Sequence, residues 1–142
     1  MKIAIGCDHG GVEHKNAIAQ HLTERGFEVK DFGIYEAKSV DYPDIAKPVA
    51  LSVRDGECDL GILVCGTGIG MSIAANKIKG ARAALLHDEF SAEMTRRHNN
   101  SNILCIGAKI VESEEKACRL ADIFLSTEFE GGRHERRVNM FE

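Results

Sequence analysis

The sequence predicts an α/β fold built on one five-stranded parallel sheet with helices on both faces, its strand order beginning 2-1-3. Three observations carry that reading. Strand-like and helix-like segments alternate along the chain, the pattern of βα units joined by right-handed crossovers. Leu60-Gly61-Ile62-Leu63-Val64 is short, apolar and partly β-branched, as a strand covered on both faces must be. Two chemically loaded segments, Cys7-Asp8-His9-Gly10-Gly11 and Cys65-Gly66-Thr67-Gly68-Ile69-Gly70, each follow a predicted strand. In such sheets ligands sit beyond the carboxyl ends of the strands, where the strand order reverses. An order beginning 2-1-3 makes those two strand ends neighbours.

The elements follow in order. Lys2–Cys7 reads as the first strand. Val12–Arg25 reads as a helix with Ile18 and Leu22 on one face and Gly26 as its C-terminal stop. Phe27–Phe32 is the second strand. Pro43 suits the first turn of a helix over Pro43–Arg54, which Asp55-Gly56 closes. Asp59–Val64 is the third strand, Met71–Lys77 a helix, and Arg82–Leu86 the fourth strand. Asp88–His98 reads as a helix with Phe90 and Met94 on a shared face, and Ile103–Ile106 as the fifth strand. In Ser113–Ser126 the residues Ala117, Leu120, Ala121 and Phe124 form an i, i+3, i+4, i+7 stripe.

Composition narrows the function classes. A chain of 142 residues fits one domain spanning 1–142. Charged residues make up 28% with a net charge of −4 and no single-sign tract, which argues against nucleic-acid and polybasic membrane roles. No stretch reaches transmembrane length, and the first residues run straight into a strand pattern rather than a signal-peptide layout. Five cysteines, an odd number with no C-x-x-C pair, point to reduced thiols and a cytoplasmic location.

The Cys65–Gly70 loop carries the strongest chemical signal. Alternating glycines free several backbone N–H groups to face one point, a concavity for an anion or a developing oxyanion. The positive N-terminus of the following helix points the same way. A strand-end cysteine is ordinarily an inert small hydrophobe, the reading given to Cys7 and Cys105. Cys65 differs, because a glycine nest and a helix N-terminus are expected to lower its thiol pKa. The loop is neither a dinucleotide fingerprint nor a P-loop. Position 71 is Met, so the arginine of a Cys-x5-Arg phosphatase cradle is missing.

Asp8 and His9 suit a cap on the first helix, a role compatible with touching a ligand. His98 and Asn99 close the fourth helix, where a solvated histidine favoured by the helix dipole is the plain alternative to a functional one. No His/Cys/carboxylate spacing resembles a metal cage. In the tail Gly131-Gly132-Arg133-His134-Glu135-Arg136-Arg137, a helix would place Arg133 and Arg137 at i, i+4, two guanidiniums for a phosphate clamp or a merely solvated basic end.

Taken together, Gly6-Cys7-Asp8-His9-Gly10-Gly11, Asp41-Tyr42-Pro43, Cys65–Gly70, Ser72–Lys77, Arg97-His98-Asn99 and Gly131–His134 resemble the type B ribose-5-phosphate isomerases, a family that includes galactose-6-phosphate isomerase subunits. The likeness covers nearly the whole chain in the same order. It implies a Rossmann-like three-layer α/β/α sandwich and an aldose–ketose isomerase that uses no metal and no organic cofactor. It implies that Cys65 is the base, that His98 opens the furanose ring, that Asp8 contacts sugar hydroxyls and the ring oxygen, and that Thr67 assists proton movement between oxygens. The backbone of Gly66, Thr67, Gly68, Ile69 and Gly70 matches an anion hole for the enediolate. His9, Arg133 and Arg137 match phosphate-binding positions, and Asn99 another substrate contact.

Lys109 stands where the ribose enzymes commonly carry an arginine that reaches the phosphate; it keeps the charge and loses the bidentate fork. The resemblance also implies a homodimer or a dimer of dimers with each site shared between subunits. Ribose 5-phosphate is the expected substrate, with allose 6-phosphate or galactose 6-phosphate as the six-carbon alternative. Two other classes explain less. A phosphate-ligand-binding module without turnover leaves Cys65 and His98 without a role, and a thiol redox protein lacks its resolving cysteine.

Overall fold

The computed structural model describes residues 1–141. Five parallel strands, β1 (Lys2–Cys7), β2 (Glu28–Asp31), β3 (Leu60–Cys65), β4 (Ala83–Leu85) and β5 (Ile103–Gly107), form one sheet in the order β2-β1-β3-β5-β4. The connecting helices are α1 (Val12–Glu24), α2 (Pro43–Arg54), α3 (Ile69–Asn76), α4 (Glu89–Asn99) and α5 (Glu114–Ser126), followed by a short α6 (Arg133–Val138). The predicted opening 2-1-3 is the observed one, and the switch point lies between β1 and β3.

Side-chain alternation divides the core into two layers. Ile3, Ile5, Ile62, Val64, Leu104 and Ile106 pack with Ile18 and Leu22 of α1 and with Leu120 and Phe124 of α5. Ala4, Leu63, Cys65, Ile103 and Cys105 face Val49 and Ala50 of α2 and Met71 and Ala75 of α3. Phe124 is fully buried, a burial that contributes on the order of 1.5–3 kcal/mol. The same alternation turns the Cys65 side chain toward the α2–α3 layer.

Helix boundaries follow their local chemistry. Ser113 and Asp88 cap α5 and α4, each side chain accepting from a backbone N–H three residues on. The chain leaves α1 through Gly26 at φ +91°, with Phe27 N–H returning to Leu22 O at 3.0 Å. Phe90 and Met94 share one side of α4, as their i, i+4 spacing predicts, but Phe90 is 71% exposed and the helix buries Ala92 and Thr95. One expectation needs correction. Asp8 and His9 do not cap α1; its N-cap is Gly11, with no side-chain cap, because the Asp8 carboxylate is used within its own turn and accepts from Gly10 N–H at 2.8 Å.

A charged pair anchors α1 to the sheet. Lys15 of α1 is fully buried, 2.7 Å from the Asp31 carboxylate at the end of β2 and 4.7 Å from the centre of the Tyr35 ring. Removing one partner of such a pair strands the other charge away from water. Asp31→Ala is therefore expected to lower unfolding stability by about 3 kcal/mol, and Lys15→Met by clearly less. Urea denaturation at fixed protein concentration checks both, and equal losses would contradict the burial argument.

Candidate active site

The carboxyl ends of β1, β3 and β5 meet at one edge of the sheet. Asp8 N–H donates to Val64 O at 3.2 Å, Ala108 N–H to Cys65 O at 2.9 Å and Lys109 N–H to Gly66 O at 2.9 Å. The turns after β1 and β3 are pressed together: a β-carbon on Gly10 would stand 3.0 Å from Gly66 N and crowd that backbone. This contact brings buried Asp8 and exposed His9 alongside the Cys65–Gly70 loop.

Cys65 ends β3 at 5% exposure, and its sulfur accepts from Gly68 N–H at 3.1 Å. Gly68 is the N-cap of α3 and takes φ +78°, a left-handed conformation that turns its N–H back onto the sulfur. The first-turn N–H groups of α3 have no partners within the helix and flank the same point. Thr67 is exposed beside them, its hydroxyl accepting from Ile69 N–H at 3.3 Å. Helix α3 thus starts at Ile69, two residues before the expected Met71, because Gly68 supplies the turn. The Lys109 side chain lies over Gly66, and the Tyr42 ring lies over Gly70. Sequence reasoning did not assign Tyr42 to the site; its only signal was its place in Asp41-Tyr42-Pro43.

Other cysteines sit differently. Burial pushes the Cys7 thiol up to about 11, and Cys105, fully buried, is pushed up further in the same direction. Cys118 is raised by burial and by nearby Asp122 and Glu114. All five thiols are free.

The remaining candidates lie at the opposite edge of the sheet. Helix α4 starts after the carboxyl end of β4 and runs back about 16 Å, at 1.5 Å per residue, to the entrance of β5. Its last turn holds His98 and Asn99. Just beyond it, Arg82 Nε donates to Asn100 O, and Asn102 N–H donates to Arg82 O at the entrance of β4. Cys65 pairs in register with Gly107, while the entrance of β5 is Ile103, about 13 Å away at the rise of a parallel strand.

Helix α6 joins this second group. Glu130 N–H donates to Arg97 O, and the His134 ring stacks on His98 with centroids 4.2 Å apart and planes 12° from parallel. Partial burial, with His98, Arg133 and Arg137 nearby, holds His134 below the ordinary histidine range, partly opposed by Glu130. Arg133 and Arg137 are exposed, and neither forms an ion pair among the described residues. A groove of about 670 Å³ at this edge is lined by Lys77, Arg82, Asn99 and Phe141 and reaches no residue of the Cys65 loop.

One chain therefore brings together Asp8, His9, Cys65, Gly66, Thr67, Gly68, Ile69, Gly70 and Lys109, and separately His98, Asn99, Arg133 and Arg137. The expected phosphate-binding set is divided, with His9 and Lys109 at one edge and the two arginines at the other. Among the described residues, no helix is long and apolar enough to cross a membrane.

This fold, with a sulfur and a helix N-terminus converging at a topological switch point, defines an α/β enzyme site for an anionic substrate or intermediate. Residues 3–141 match the Ribose/Galactose Isomerase family, and the chain belongs to that family. It is 49% identical over 137 residues to ribose-5-phosphate isomerase B of Escherichia coli, covering 96% of this chain and 91% of that protein. The structure of ribose-5-phosphate isomerase B from Clostridium thermocellum superposes with a TM-score of 0.96 at 51% identity, covering 99% of this chain and 94% of that one. That of the Mycoplasma genitalium enzyme, which holds bound ribulose-5-phosphate, gives 0.93 at 43% identity, covering 98% and 92%. The chain is accordingly a sugar phosphate isomerase with a Rossmann-like three-layer architecture.

Thiol chemistry distinguishes Cys65 from its neighbours. Alkylation of the folded protein near pH 8, read by peptide mass spectrometry, is expected to label Cys65 ahead of Cys7 and Cys105. Cys7 should become reactive only toward pH 11 or on unfolding, since the protonated thiol is a poor nucleophile. Equal labelling of Cys7 and Cys65 at pH 8 would contradict the site.

Proposed function

We propose that this protein interconverts ribose 5-phosphate and ribulose 5-phosphate through a cis-enediolate, with Cys65 as the base. The observation that carries the reading is the Cys65 sulfur held at the N-terminus of α3, so that one loop supplies both a proton acceptor and N–H donors for an oxyanion. His98 takes the proton of the anomeric hydroxyl as the ring carbon–oxygen bond breaks and returns it to the ring oxygen, which Asp8 contacts. Cys65, as thiolate, removes the proton from C2. The electron pair forms the C1–C2 double bond, and the charge on O1 is held by the backbone of Gly66–Gly70. Thr67 assists transfer of the hydroxyl proton from O2 to O1, and the thiol returns its proton to C1. No electron leaves the substrate, so the chemistry requires no redox partner.

The separation of the two residue groups bears on assembly. With His98, Asn99, Arg133 and Arg137 about a strand length from Cys65, a complete site forms when the entrance edge of a second copy meets the Cys65 edge of the first. Ile69 and Ile73, 51% and 56% exposed on α3, offer an apolar face beside the cysteine loop for that contact. We accordingly propose a homodimer, or a dimer of dimers, with shared sites. The five free thiols suit the reducing cytoplasm.

Purified protein assayed on ribose 5-phosphate, allose 6-phosphate and galactose 6-phosphate decides the substrate, with ribose 5-phosphate expected to be preferred. In heavy water the active enzyme should place deuterium in product wherever the thiol proton exchanges with solvent. Cys65→Ala and Cys65→Ser should lose isomerisation and exchange together, by a factor on the order of 10²–10⁴ for removal of a positioned base. Full turnover by a folded Cys65→Ala protein would remove Cys65 as the base.

A further inference from the structure

His98, Glu130 and His134 bring two imidazole nitrogens and a carboxylate oxygen within 4.8 Å of one another. Glu130 divides its oxygens. Oε1 lies 3.6 Å from His134 Nε2 and 4.0 Å from His98 Nε2, while Oε2 turns to Arg97 Nη1 at 3.3 Å. An outer partner that fixes a carboxylate in this way is a recurrent feature of metal sites. Arg97 also holds Glu93 at 2.9 Å, so Glu130 is not its only anion.

The group has one anchored member and two adjustable ones. His134 is 12% exposed, whereas His98 and Glu130 are 40% and 43% exposed and can rotate. Zinc bonded at about 2.0–2.1 Å places tetrahedral ligand atoms about 3.3 Å apart, so modest rotation of the two exposed side chains closes the set. Two imidazoles and one carboxylate suit a borderline divalent ion, whereas magnesium and calcium call for oxygen ligands. Sequence spacing conceals the group, because Glu130 lies 32 residues from His98 and the three meet only when α6 folds back on α4.

We propose that His98, Glu130 and His134 bind one divalent cation of the zinc class, leaving a coordination position open. Occupancy withdraws a His98 ring nitrogen from the sugar and so inhibits the enzyme; this consequence rests on the ring-opening role given to His98 above. The site itself does not depend on that role.

Cobalt titration of the chelator-stripped protein, followed by its visible absorption, reads binding independently of turnover. Wild type and Cys65→Ser are expected to take up one cobalt per chain, displaced by zinc. His134→Ala and the more conservative Glu130→Gln should lose it while keeping the wild-type circular dichroism. Zinc should inhibit turnover of ribose 5-phosphate reversibly, with a chelator restoring the rate. No cobalt spectrum in the wild type, one that survives both substitutions, or one that vanishes with Cys65→Ser would overturn the site. Binding without inhibition of an active enzyme would overturn its regulatory consequence. A protein that binds cobalt as described but isomerises no sugar phosphate when stripped would count against the proposed reaction and leave the ion site standing.

Discussion

The polarity of the parallel sheet governs everything else in this molecule. Every strand delivers its carboxyl end to one edge, and every crossover helix returns the chain to the other. Cys65, at the end of β3, is thereby committed to one edge, and His98, in the last turn of α4, to the opposite one. No side-chain rotation bridges that distance, because the register Cys65↔Gly107 and Gly61↔Ile103 is fixed by backbone hydrogen bonds through the middle of the core. Within one chain the two groups of candidate residues therefore stay apart.

Within the cysteine edge, the constraint is close backbone approach. The turns after β1 and β3 touch at Gly10 and Gly66, and the left-handed Gly68 aims its N–H at sulfur. A thiol and a run of backbone N–H donors then occupy the same few residues. The other edge is organised by charge and stacking: Arg97 aligns Glu130, Glu130 faces two histidines, and the histidines stack. The first edge sets a thiol against backbone N–H donors, and the second sets two stacked imidazoles beside two exposed guanidiniums.

Much of the architecture was legible because it rests on local rules. Pro43 and Asp55-Gly56 delimit α2 at its observed bounds, the stripe Ala117, Leu120, Ala121 and Phe124 is the buried face of α5, and the apolar run of β3 is buried throughout. What escaped depends on position in space. Phe90 fits an apolar helical pattern, yet its side of α4 faces outward. Asp8 has the chemistry of a helix cap but spends its oxygen on Gly10, since two glycines intervene before α1 begins. Tyr42 and Glu130 meet the motifs only through tertiary folding, and no periodicity announces them. The division of the expected phosphate-binding set between two edges is equally invisible in a linear sequence, where Lys109 and Arg133 look like members of one group.

The central claim is that one working site takes Cys65 from one chain and His98 from another. Mixing two inactive proteins tests it most directly. Cys65→Ala and His98→Ala are each assayed on ribose 5-phosphate, then combined in equal amounts, allowed to exchange subunits and assayed again. In a hybrid dimer one site carries both substitutions and the other carries neither, so half of all dimers regain one intact site and activity returns to about a quarter of the wild-type level. A mixture that exchanges subunits, by native mass spectrometry, yet stays as inactive as its components would place both residues in a single chain's site and contradict the account.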